Sequence, residues 1–87
     1  MHDAALMKNL MAEIERAAAT ENAKKVTEVQ VWIGALSHMT ATHFTEHFTE
    51  SSAGTMAEGA RLEIAVSDDI HHPKAQEILL RSIAVDA

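Results

Sequence analysis

The sequence predicts an α+β fold, with two helices packed on one face of a three-stranded mixed β-sheet. Three observations carry this. Two stretches place apolar residues at helical spacing, and three others have the length and alternation of strands. They follow one another as helix, strand, helix, strand, strand. The strands show one apolar face each, which calls for helices on that side alone. The 87 residues make a single domain over 1–87. A chain of this size buries only about 60% of its unfolded surface, so two layers around one core are its practical limit. Hydrophobic residues reach 47%, yet there are only two Phe, one Trp and no Tyr, so the core is mainly aliphatic.

The first helix begins at Asp3, whose carboxylate can accept free amide groups of the first turn. Met7, Leu10, Met11, Ile14, Ala17 and Ala18 form its apolar stripe, widened by Leu6, while Lys8, Asn9, Glu15 and Arg16 fall off it. Met7 and Met11 therefore read as core residues rather than soft-metal ligands. The helix ends near Ala19, before Thr20-Glu21-Asn22. Residues 26–33 alternate with period two, placing Val29, Val31 and Ile33 inward and Glu28, Gln30 and Trp32 outward, up to Gly34. Trp32 on the outer face is either an interface anchor or, more commonly, a ring covered by a neighbouring loop or long side chain.

Residues 34–40 read as a loop that includes His38. Thr40 or Thr42 caps a second helix that runs to about Ser52 and is ended by Gly54. Phe44 and Phe48, four apart, face the core, and His43, Glu46, His47 and Glu50 occupy the opposite side. Residues 60–66 alternate again, with Leu62, Ile64 and Val66 inward. Residues 67–76 are polar and hold the only proline, Pro73. Residues 78–85 form the last strand, with Ile83 and Val85 on one face and Arg81 beside them. The strand–helix–strand unit predicts a right-handed parallel crossover. The 67–76 connection is long enough for the last two strands to be antiparallel neighbours.

Seven Lys and Arg against thirteen Asp and Glu give a net charge of −6. That argues against nucleic acid, whose binding needs cationic side chains on phosphates, and against an anionic membrane surface. Without cysteine, thiolate zinc sites, disulfides, iron–sulfur ligation and thiol nucleophiles are excluded. The first helix is interrupted by charge and no stretch approaches 18 apolar residues, so the expectation is a cytoplasmic protein without a signal peptide.

Six histidines in 87 residues is the unusual count. At Met1-His2-Asp3 an α-amine, a backbone amide, an imidazole and a carboxylate lie within a few bonds of one another. The imidazole Nδ1 and the amide of His2 can close one chelate ring, and the Met1 amine a second. Nitrogen donors of this kind suit Ni(II) in square-planar geometry. The ligands must shed protons, so affinity falls as pH drops through the imidazole range. The plain alternative is a histidine that happens to follow the first methionine. His43-Phe44-Thr45-Glu46-His47 puts two imidazoles on one side of the second helix, a spacing fit for metal and shared with H-x-x-E-H zinc peptidases. A hydrolase also needs a third ligand and a cleft, which 87 residues barely accommodate, so no enzyme is expected. A second metal site or relay at His43, Glu46 and His47 stands beside the commoner solvated helix face. His71 and His72 read as an exposed turn or as further donors to a metal.

Met1-His2-Asp3, followed by the Leu6-Met7-Leu10 helix start, resembles the nickel metallochaperones of hydrogenase and urease maturation, the HypA/HybF family. Further matches are Ala23-Lys24-Lys25-Val26-Thr27-Glu28-Val29, Ile33-Gly34-Ala35-Leu36-Ser37, Gly54-Thr55-Met56-Ala57-Glu58-Gly59-Ala60 and Leu80-Arg81-Ser82-Ile83-Ala84-Val85. Each is weak alone; in this order, over nearly the whole chain, they are specific. The resemblance implies Ni(II) at Met1, His2 and Asp3. It also implies delivery to a maturation GTPase and a hydrogenase large subunit, or to urease. Two departures stand out. The family carries a zinc domain with two Cys-x-x-Cys pairs between its last two strands, where this chain has only 67–76. Its second helix is also more apolar and lacks the paired histidines.

Two functional classes follow, a nickel carrier and a metal-independent adaptor that keeps the fold and partner surface; a small metal-dependent hydrolase is a distant third. An open sheet edge with Trp32 nearby makes a homodimer a further candidate.

Overall fold

The computed structural model describes the backbone of residues 3–86 and the side chains of residues 5–86. Its elements are α1 (Asp3–Thr20), β1 (Lys25–Ile33), α2 (Ala41–Ser52), β2 (Arg61–Val66) and β3 (Ile78–Asp86). All five predicted elements are present in the predicted order, their ends displaced by about one residue. Both helices cover one face of a three-stranded mixed sheet, as the one-sided strands require.

α1 buries Met7, Leu10, Met11, Ile14 and Ala18, so the methionines are core residues as the stripe predicts. Its C-terminus closes with Asn22 at φ 54°, while the Asn22 amide donates to the Ala19 carbonyl and the Ala23 amide to that of Ala18. This left-handed termination satisfies carbonyls the helix leaves open, and asparagine tolerates it better than most residues. α2 starts at Thr40, whose side chain accepts the His43 amide at 3.1 Å. It buries Phe44 and Phe48 with ring centroids 6.2 Å apart. Gly54, at φ 80°, follows its end.

The sheet order is β2-β1-β3. β1 and β2 are parallel, as the crossover predicts, with Val29 opposite Leu62 and Val31 opposite Ile64. The expectation that the last two strands are neighbours is overturned, because β3 pairs antiparallel with β1 instead. The physical reason lies in the connection, which crosses the end of β1. The Gly34 amide donates to the Glu77 carbonyl at 2.9 Å and the Leu36 amide to the Ala75 carbonyl at 2.7 Å. A Cβ on Gly34 would sit 2.3 Å from the Ala75 oxygen. Only glycine lets the two backbones approach this closely, and the crossing carries the chain to the far side of β1.

Two irregularities correct the strict alternation. Pairing steps from Val26–Val85 to Glu28–Ala84, leaving Thr27 as an extra residue. Val26 thus joins Val29 in the core, fully buried. Pairing also steps from Gln30–Ser82 to Val31–Leu80, passing over Arg81. Leu80 and Ile83 then both pack on the core. Arg81 lies with Gln30, Trp32 and Glu63 on the outer face rather than beside Ile83 and Val85. Such bulges shift which side chains face inward. Val66, expected inward, is 56% exposed at the end of β2.

Candidate metal-binding sites

Of the N-terminal trio, Met1 and His2 lie outside the described residues. Asp3 enters as the first residue of α1. The helix therefore begins directly after the amine–amide–imidazole group of the sequence.

The four other candidate histidines divide into two pairs. His43 and His47 are one helical turn apart on α2, and their rings meet edge to face with centroids 4.4 Å apart at 64°. The helix beneath them is held by the buried phenylalanines, Phe44 following His43 and Phe48 following His47. His43 is exposed and His47 half-buried. His47 lines a groove between the helices with Met7, Lys8, Met11, Glu15 and Glu50. Glu15 is the neighbour that reading the sequence missed, since α1 and α2 are brought together only by tertiary packing. Glu46 is exposed on α2. Among the described residues, no three or more His, Cys, Asp or Glu are grouped to hold a metal ion. From the H-x-x-E-H string the described structure thus brings together the two imidazoles.

His71 and His72 belong to a turn in the connection from β2 to β3. The Ser67 hydroxyl accepts the Asp69 amide at 3.1 Å, and the Asp69 carboxylate accepts the His71 amide at 3.0 Å. The His72 Nδ1 accepts the Lys74 amide at 2.9 Å, which turns that nitrogen away from metal chemistry. Its ring packs on Trp32 at 4.8 Å and 45°. Trp32 is half-buried, so the loop-covered alternative holds for it. Trp32 faces away from the helices, and His72 with it. The structure therefore does not bring His72 to the pair on α2. His38 is an exposed loop residue at φ 63°.

The topology sets the two helices side by side in one direction. α1 leads into β1 through a short turn, α2 leads back from the end of β1 to the start of β2, and β1 and β2 are parallel. Both helices hence run opposite to β1 and start at the same end of the domain. From the groove where His47 faces Met7, four residues back lead to His43 on α2 and Asp3 on α1.

Comparisons with known proteins agree with this fold. A family model described as hydrogenase/urease nickel incorporation, metallochaperone, hypA matches residues 1–72. The hydrogenase maturation factor HypA of Archaeoglobus fulgidus is 36% identical over 66 residues, 76% of this chain and 60% of that protein. Its counterpart from Roseiflexus sp. is 39% identical over 64 residues, 74% of this chain and 52% of that protein. The matches thus span little more than half the length of these curated relatives. The solution structure of the nickel metallochaperone HypA from Helicobacter pylori superimposes with a TM-score of 0.83 at 20% identity, covering 100% of this chain and 99% of that one. A second solution structure of a HypA protein gives 0.74 at 22% identity, covering 98% and 96%. At these identities the two structures speak for the fold alone. The family match across most of the chain, with relatives above 30% identity, establishes that this protein belongs to the HypA family.

Proposed function

We propose that this chain is a nickel-binding accessory protein that takes up Ni(II) at Met1, His2 and Asp3 and passes it to a maturation partner. The observation carrying this reading is the family match, which begins at residue 1 and so includes the three residues. Their chemistry supports it: the amine, the amide and the imidazole are nitrogen donors that close adjoining chelate rings on one ion. Asp3 opens α1, and its negative charge offsets the positive end of the helix dipole, which by itself disfavours a cation. The partners that fit are a maturation GTPase and the large subunit of a hydrogenase, or urease, in the cytoplasm. The chain acts as a nickel-binding domain in which residues 67–76 stand where the family's zinc domain is inserted. With no cysteine, no thiolate of this chain takes part, and the amine, amide and imidazole nitrogens carry the site.

The test is a calorimetric Ni(II) titration of three forms: the untagged protein, its Nα-acetylated form and His2→Ala. The reading expects the first to bind one equivalent more than the other two. Equal binding in all three removes nickel from the N-terminus, and no binding in any of them leaves the adaptor that keeps only the fold and partner surface.

A further inference from the structure

We propose that His43 and His47 form a second site, a two-imidazole chelate for a borderline divalent cation such as Ni(II) or Zn(II). It stands on the geometry of α2 and does not depend on nickel binding at the N-terminus.

Four residues is a little over one helical turn, so both rings leave the same side of the helix. Their centroids are 4.4 Å apart in an edge-to-face contact, so the rings are near enough that rotation about their side-chain bonds brings one nitrogen of each to a common ion at the roughly 2.0–2.1 Å of a metal–imidazole bond. The backbone under them is set before any metal arrives. Thr40 caps the helix, and Phe44 and Phe48 anchor it in the core. Binding then has to order the two side chains and not the helix that carries them, which lowers its entropy cost.

The surroundings favour a cation. Glu15 and Glu50 line the groove that His47 enters, against the one cation Lys8, and the excess negative charge works against the positive field at the start of α2. Among the described residues no three or more His, Cys, Asp or Glu are grouped to hold a metal ion, so the two imidazoles are the donors that α2 itself contributes. The pair also lies toward the end of the domain where α1 begins.

Ni(II) chloride titrated into His2→Ala tests the site. One equivalent is expected to remain, and His2→Ala/His43→Gln/His47→Gln to lose it. His43→Gln and His47→Gln are each expected to weaken it at least tenfold. Glutamine suits a helix as well as histidine does, and circular dichroism of the variants checks that they fold. Two further readouts separate the pair from other donors. Nickel should broaden the ring proton resonances of His43 and His47 before those of His71 and His72. It should also raise the unfolding midpoint of His2→Ala, because a chelate spanning a helical turn favours the folded chain, and this rise should vanish in the triple variant. Full retention of nickel by the triple variant, no binding by His2→Ala, or broadening that starts at His71 and His72 overturns the proposal. Failure of the N-terminal reading looks different, as His2→Ala would then bind as many equivalents as the unaltered protein.

Discussion

Replacing Gly34 with alanine strikes the point where the β2–β3 connection crosses β1. The new Cβ would lie 2.3 Å from the Ala75 oxygen, 2.6 Å from the Ala75 carbonyl carbon and 2.8 Å from the Glu77 oxygen. All three neighbours are backbone atoms, so no side-chain rotation relieves the overlap. Ordinary contact begins near 3.4 Å, so the connection must move by about 1 Å. That movement strains the Gly34-to-Glu77 and Leu36-to-Ala75 hydrogen bonds, each worth about 0.5–1.5 kcal/mol net. Overpacking costs about 1–3 kcal/mol, and together the expected loss is about 2–6 kcal/mol. Small domains hold only about 5–15 kcal/mol in all, and each kcal/mol lowers the midpoint of a domain this size by about 4–8 °C. Thermal unfolding followed by circular dichroism measures the loss. Trp32 fluorescence reports the local shift, since the His72 ring on that same connection covers it and its withdrawal moves emission to the red. Gly59→Ala is the contrasting case. Gly59 sits at φ 78° with nothing within 4 Å of an added Cβ, so its cost is conformational, about 1–2 kcal/mol, with Trp32 emission unchanged. A Gly34→Ala protein within about 1 kcal/mol of the parent, with unaltered emission, would refute the crossing as the reason for glycine.

The remaining predictions concern α2 and the metal. Phe44→Ala removes a fully buried ring and is expected to cost about 3–5 kcal/mol in urea unfolding. Thr40→Ala removes the acceptor for the His43 amide and should cost about 1 kcal/mol, with slightly weaker nickel binding at His43 and His47 as the first turn frays. Nickel held by nitrogen donors must displace their protons. Equilibrium dialysis from about pH 7.5 to about pH 5.5 should therefore show affinity falling, by up to about tenfold per pH unit for each proton displaced. The N-terminal ligands adjoin one another in sequence and meet in the unfolded chain as well. Nickel bound there should raise the unfolding midpoint far less than its affinity implies, which a His43→Gln/His47→Gln variant isolates in a melt with and without nickel.

Periodicity and capping residues by themselves determined the five elements, the core faces of α1 and α2 and the parallel β1–β2 pair. These are local properties: a helix buries the residues its 3.6-residue period lines up, and Thr40 or Asn22 ends a segment through atoms a few residues away. The Met1-His2-Asp3 chemistry is local in the same sense, since its donors are neighbours along the chain. So is the shared direction of His43 and His47. What the residues could not disclose depends on the path of the chain through space. β3 lies beside β1 because the connection crosses at Gly34, a contact between residues some 40 positions apart. Thr27 and Arg81 are extra residues only relative to a partner strand, so alternation along one strand mispredicted Arg81 and could not assign Val26 to the core. His72 is tied to Trp32 on the outer face, and Glu15 to His47 between the helices. A histidine count could suggest one metal cluster; tertiary structure divided it, because the sheet stands between the α2 pair and the ring that covers Trp32.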